Sequence, residues 1–199
     1  MTERPPTSPS AAGSPTTEFA RGLAAVRLLS YRSEFLVQES PAPARLAPHG
    51  FAQTVEVNSG DLLMGTGRLV ILHDPAGQES WQGTTRVIAY IDADVDLEVA
   101  ADPMLPEVGW EWLNEALNDA DAAATALGGT ATQVNSRSFG VMADRPAEGR
   151  LQVRASWTPV DDEQLAAHAR AWALLMAAAC GLAPTDSGVP SLPTRRPRN

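Results

Sequence analysis

The stretch Arg68 to Val99, RLVILHDPAGQESWQGTTRVIAYIDADVDLEV, decides the fold. Residues 67–73 (GRLVILH) are apolar at consecutive positions, the pattern of a strand buried on both faces and hence central in a sheet. Asp74-Pro75-Ala76-Gly77 has the residues a type I turn prefers, proline second and glycine fourth. A partner strand begins near Gly83 and runs through Val87 and Ile91. Continued to Val99 it would have about 17 residues, longer than most strands, so a bend or break is expected near Ala93.

The acidic end of this stretch alternates. As a strand, Ile91, Ala93, Val95, Leu97 and Val99 share one face, and Asp92, Asp94, Asp96 and Glu98 share the other. Acids two apart on a strand are about 7 Å apart, and at that distance they repel by roughly 0.6 kcal/mol in water and about 2.4 kcal/mol at an effective dielectric near 20. Such a face must be wet or matched by cations, and Arg68, Arg86, Arg137, Arg150 and Arg154 lie on or beside expected strands. A straight strand spreads its carboxylates instead of converging them, so no metal site is expected there. The face is a candidate docking surface for a protein, and it also discourages edge-to-edge pairing.

On the N-terminal side, Phe19, Leu23 and Val26 share one face of a helix over roughly 17–30, with Ser14-Pro15 as its start signal. An extended piece follows at about 34–39, a proline-rich connector from Pro41 to Pro48, then a strand at 51–57 with Phe51, Val55 and Val57 on one side. On the C-terminal side, Trp110, Leu113, Leu117, Ala120, Ala124 and Leu127 lie on one stripe of a helix over about 106–127, ended by Gly128-Gly129. Strands at 130–139 and 149–157 come next, the second with Leu151, Val153, Ala155 and Trp157 inward. A last helix, about 161–180, has Leu165, His168, Trp172, Leu175, Met176 and Ala179 on its apolar face. The order α-β-β-β-α-β-β-α predicts an α+β domain over 17–182, a mainly antiparallel sheet of five to seven strands flanked by three helices. Its topology and charge are similar to those of type III secretion chaperones. Residues 1–16 and 183–199 are rich in Pro, Ser and Thr without periodicity and read as disordered tails.

Composition narrows the function. Residues 17–182 hold 22 acids and 11 arginines, net −11, so a phosphate backbone is repelled and no direct nucleic-acid binding is expected. There is no lysine, which removes Schiff-base chemistry, a Walker-A loop and a Ser–Lys dyad. Cys180 is the single cysteine, so neither a disulfide within the chain nor a thiolate metal cluster is available. No run approaches the ~20 apolar residues that cross a bilayer, and no secretory signal is apparent, so a cytoplasmic protein is expected.

The segments LVILHDPAGQESWQGTTRVIAYIDADVD (69–96), AADPMLPEVGWEWLNEAL (100–117) and RASWTPVDDEQLAAHARAW (154–172) resemble an actinobacterial family catalogued as domain of unknown function 3000. The resemblance covers nearly all of 19–182. It implies at most a role beside RNA processing, and it carries no catalytic residues.

Individual residues add little chemistry. His73-Asp74 ends the central strand, but neighbours on a strand point opposite ways and no nucleophile motif accompanies them, so Asp74 is expected to cap the turn. His168 falls on an apolar helix face, and with His49 no histidine pair has metal-ligand spacing. Cys180 is expected to be an inert packing thiol. Of the five tryptophans, Trp110 and Trp112 cannot face the same way, and Trp112 is the candidate exposed anchor. The expected function is a non-catalytic interaction module, adaptor or chaperone-like, with an unidentified protein partner or a second copy and no cofactor. The alternatives are a ligand or catalytic pocket around His73, Asp74 and Glu79, or accessory work in RNA processing.

Overall fold

The computed structural model describes residues 14–184, so the expected tails lie almost wholly outside the described residues. Six strands, β1 (Phe35–Ser40), β2 (His49–Ser59), β3 (Leu62–Gln78), β4 (Gly83–Val95), β5 (Ala124–Ser136) and β6 (Glu148–Pro159), form one antiparallel sheet in the order β1-β2-β3-β4-β6-β5. Four α-helices accompany it: α1 (Thr17–Arg27), α2 (Leu97–Ala100), α3 (Leu105–Asp119) and α4 (Leu165–Ala179). The α+β class and the antiparallel sheet read from the sequence hold, with one short helix beyond the three expected.

Period-two alternation sorts the sheet into two faces. Val55, Val57, Leu69, Ile71, Val87, Ala89, Ile91, Leu151, Val153 and Trp157 form the buried face, against which α1, α3 and α4 pack. The apolar stripe of α4 is read correctly: Leu165, His168, Trp172, Leu175, Met176 and Ala179 are all buried. On the opposite face Ala52, Val70 and Leu72 form a small apolar cluster with Ile88, against which Ala42 and Ala47 of the proline-rich connector and Trp81 pack.

Four local expectations change. The cap of α1 is Thr16, whose hydroxyl accepts from the Phe19 N–H at 3.3 Å, and not Ser14. The chain does not reverse at 74–77: those residues bulge between the pairs His73↔Thr85 and Gln78↔Gly83, and the reversal is a 3-10 turn at Glu79–Trp81 closed by Gln82 at φ 57°. Asp74 does cap this bulge, its Oδ1 accepting from the Ala76 N–H at 3.0 Å.

The expected break in the long acidic strand falls at Val95, close to Ala93, and it changes where the residues beyond it lie. Pairing with β3 ends at Gly65↔Ala93 and pairing with β6 at Val95↔Gly149. Past that point no strand remains to satisfy the backbone, so the chain coils into α2. Asp96 and Glu98 leave the face of Asp92 and Asp94, and Leu97 and Val99, expected inside, are each 42 % exposed.

Finally, α3 stops at Asp119 and not at Leu127. Asp121 takes a left-handed conformation (φ 53°), tolerable for aspartate, and the Ala122 N–H reaches back to the Leu117 carbonyl at 2.9 Å. Ala124 to Leu127 then belong to β5, and Gly128-Gly129 lie inside that strand.

Candidate docking groove

β5 is an edge strand, and α3 lies against it. Gly109 lets α3 approach the sheet, because a Cβ there would meet the Leu151 side chain at 3.0 Å. Trp110 reaches to β5 in the same way, over Gly129, where a Cβ would stand 3.0 Å from its ring. Between helix and strand two hollows remain. One, about 570 Å³, is lined by Leu117, Asn118, Asp121, Leu127 and Val160 among others, and the other, about 290 Å³, by Pro106, Glu107, Trp110, Glu111, Gly129 and Ala131. The start of α3 faces the middle of β5 and its end faces the beginning of β5, so the hollows follow one another along a single groove.

The groove is acidic. Residues 87–136 contain ten acids and no arginine, lysine or histidine. Glu107, Glu111 and Glu115 recur every fourth residue along α3, and Asp119 and Asp121 follow. Among the described residues, no ion pair reaches any of these five; the arginines that pair with carboxylates do so at Glu163, Glu39, Glu34, Asp92 and Asp94.

β5 itself carries neither charge nor proline. A bulge at Ala126–Leu127, with Ala126 at φ 49°, shifts its register. Arg86 pins that bulge from the polar face, donating to the Ala126 carbonyl at 2.9 Å, Thr158 Oγ1 at 3.2 Å and Ser156 Oγ at 2.7 Å. From Gly128 to Ser136 the ladder with β6 is unbroken.

The acids expected to dock a partner stand elsewhere. Asp92 is answered internally: Arg150 Nε donates to Oδ1 at 2.8 Å, and Gln152 Nε2 and the Tyr90 hydroxyl donate to Oδ2, each at 3.1 Å. Asp94 lies 3.6 Å from the same arginine, whose protonated form these carboxylates favour. Of the other arginines expected to match this face, Arg68 donates to the Pro41 carbonyl, Arg154 stacks over Tyr90 (5.3 Å), and Arg137 lies just past β5. Trp112, the expected exposed anchor, is half-buried against the core, as is Trp110.

The residues of the alternative pocket are scattered. His73 is buried beneath Phe19, ring centroids 4.3 Å apart. Its Nε2 faces the Thr16 N–H at 3.4 Å and its Nδ1 faces Thr85 Oγ1 at 2.9 Å, with Asp162 Oδ2 3.6 Å from Nδ1. Burial holds its pKa below the usual value against the pull of Asp162. This histidine therefore ties α1, β4 and the approach to α4 together. Glu79 is exposed on the reversal, and neither hollow described above touches His73, Asp74 or Glu79. His168 accepts from Trp157 Nε1 at 3.0 Å inside the core, and burial lowers its pKa to about 4. The Cys180 thiol is buried, with burial as the main cause of a pKa pushed up to about 11, which makes it a poor nucleophile at neutral pH.

Sequence reasoning missed Leu127, Val160 and Trp110 as groove lining. A signal was present in the fifty residues without a cation, which include the whole of α3 and β5. Among the described residues no helix is long and apolar enough to cross a membrane.

Fold and groove together define an α+β protein whose antiparallel sheet is covered by helices on one face and open at one edge. The chain belongs to the family described as protein of unknown function DUF3000, whose model matches residues 15–189. No curated protein and no solved structure matches it.

Proposed function

We propose that this chain is a non-catalytic protein-interaction module, an adaptor or a chaperone-like protein, that binds its partner at the β5 edge. One observation carries the reading: a long edge strand without charge or proline runs beside a hollowed helix face whose acids form no ion pair among the described residues. Proteins ordinarily blunt such an edge, because its free N–H and C=O groups pair with any strand that meets them. A catalytic or ligand pocket at 73–79 draws less support, since His73 is sealed under Phe19 and neither hollow is lined by His73, Asp74 or Glu79. The acidity of the groove also favours a protein over a nucleic acid. The proposal includes a cytoplasmic location and an actinobacterial source.

Affinity purification from native lysate with mass spectrometry tests it. A stoichiometric protein partner is expected, and a ribonuclease among the recovered proteins would place the module beside RNA processing. Recovery of no partner, together with a clear small-molecule hit in a thermal-shift screen, would replace this reading with the ligand-binding one.

A further inference from the structure

We infer that the groove between α3 and β5 takes an extended, arginine- or lysine-rich peptide segment, which adds to the sheet as a seventh strand along residues 128–136. This rests on the interaction-module reading and names the chemistry of the partner.

Three features converge. First, residues 128–136 form an unbroken ladder with β6 on one side and have no strand on the other. Added strands take their affinity from such main-chain groups and their specificity from alternate side chains. Second, the smaller hollow lies on the helix side of this same segment, at Gly129 and Ala131, and the larger lies just before it, at Ala124 and Leu127, so alternate side chains at the start of an added strand point toward Trp110. Third, the smaller hollow is acidic, with Glu107 and Glu111 lining it beside Trp110, and Asp121 lines the larger one. An arginine stem can lie on the indole face while its guanidinium meets the carboxylates, and both contacts favour a cation. The intervening side chains lie over Thr130, Thr132 and Val134, whose neutral surface sets no charge requirement.

A second copy fits less well. Two β5 edges paired with each other would bring two α3 helices, each with Glu107, Glu111 and Glu115, to one seam, and like charges facing across an interface select against it.

The test uses the full chain and a fluorescent nonapeptide of alternating arginine and valine. Its controls are the same peptide with glutamate for arginine, and two versions of the arginine peptide methylated on alternate backbone nitrogens, one in each register. The arginine peptide is expected to bind at low salt and weaken as salt rises. The glutamate peptide should not bind, and one methylated register should lose binding because its edge-facing donors are gone. In the complex, amide exchange at 128–136 should slow. Glu107→Gln with Glu111→Gln should weaken binding roughly tenfold, with an unchanged melting temperature as the control for folding. Equal binding of both methylated peptides, protection elsewhere in the chain, or indifference to the double substitution overturns the inference. If the lysate partner is retained by the double variant, this inference falls while the interaction-module reading stands; if no partner is found at all, that reading falls first.

Discussion

β1 and β5 are both edge strands, yet the chain treats them in opposite ways. β1 has six residues, and its Glu39 is gripped by Arg27 of α1 through two hydrogen bonds of 3.1 and 3.2 Å. The same guanidinium lies 5.2 Å from the Phe51 ring, and the helix is tied down further by Phe19 on His73. Gly22 lets α1 press onto the approach to α4 so closely that a Cβ would collide with the Asp162 carbonyl. β5 has thirteen residues, no charged side chain, and hollows under its helix. The first edge is short and pinned to a helix by an ion pair; the second is long, and among the described residues no ion pair reaches it. Physically, the closed edge concerns stability, whereas the open one holds unused hydrogen-bonding capacity next to unbalanced charge.

The largest expected effect tests the stability half of this contrast. Phe19→Ala removes a ring that is 2 % exposed and stacked on His73, and should cost about 3–5 kcal/mol. Leu127→Ala in the groove wall, where the side chain is only partly buried, should cost about 1 kcal/mol or less. Urea denaturation measures both, and comparable losses would break the comparison.

Acid should act on the core and not on the groove. His168 is held neutral, with a pKa near 4, below the unfolded value of roughly 6.5. As pH falls through 6.5 the unfolded chain takes up a proton that the folded chain refuses until about pH 4. Stability is therefore full above pH 6.5 and declines between those values, by about 3 kcal/mol in all. The lowered pKa of His73 adds in the same direction. His168→Gln keeps an acceptor for Trp157 and should flatten the decline, measured by denaturation across that pH range. A slope that survives the substitution would move the acid sensitivity elsewhere.

The smallest effects sharpen the functional half. Arg27→Ala removes a pair whose side chains are 49 % and 55 % exposed, so a loss of about 0.5 kcal/mol is expected. Thr132→Lys on exposed β5 should likewise stay within about 0.5 kcal/mol. The lysine supplies the edge protection that β5 lacks, so it should abolish recovery of the lysate partner while the melting temperature holds. A partner retained by Thr132→Lys would place the interface away from this edge.

Much of the sheet was legible in the sequence. The consecutive apolar residues of GRLVILH placed β3 at the centre, and strict alternation sorted β4 and β6 into buried and polar faces. Where reading failed, two periods fitted the same residues. Ala124 and Leu127 continue the helical stripe of α3 as readily as they begin a strand, and only the free flank of β6 decides for the strand. Asp96 and Glu98 continue the alternation of Asp92 and Asp94, but a strand ends where its partners end. The groove was the least legible part, because it is made by two segments that the sequence reading had fused into one helix.

By itself, then, the sequence determined most of the core, the antiparallel α+β class and the overall acidity, since period, turn chemistry and composition are local properties. Tertiary structure alone decided where β4 and α3 stop, which arginine answers Asp92 and Asp94, and which edge stays open. Each of those depends on what lies across the ladder or over the face, and backbone groups and charges are satisfied by neighbours in space whatever their separation along the chain.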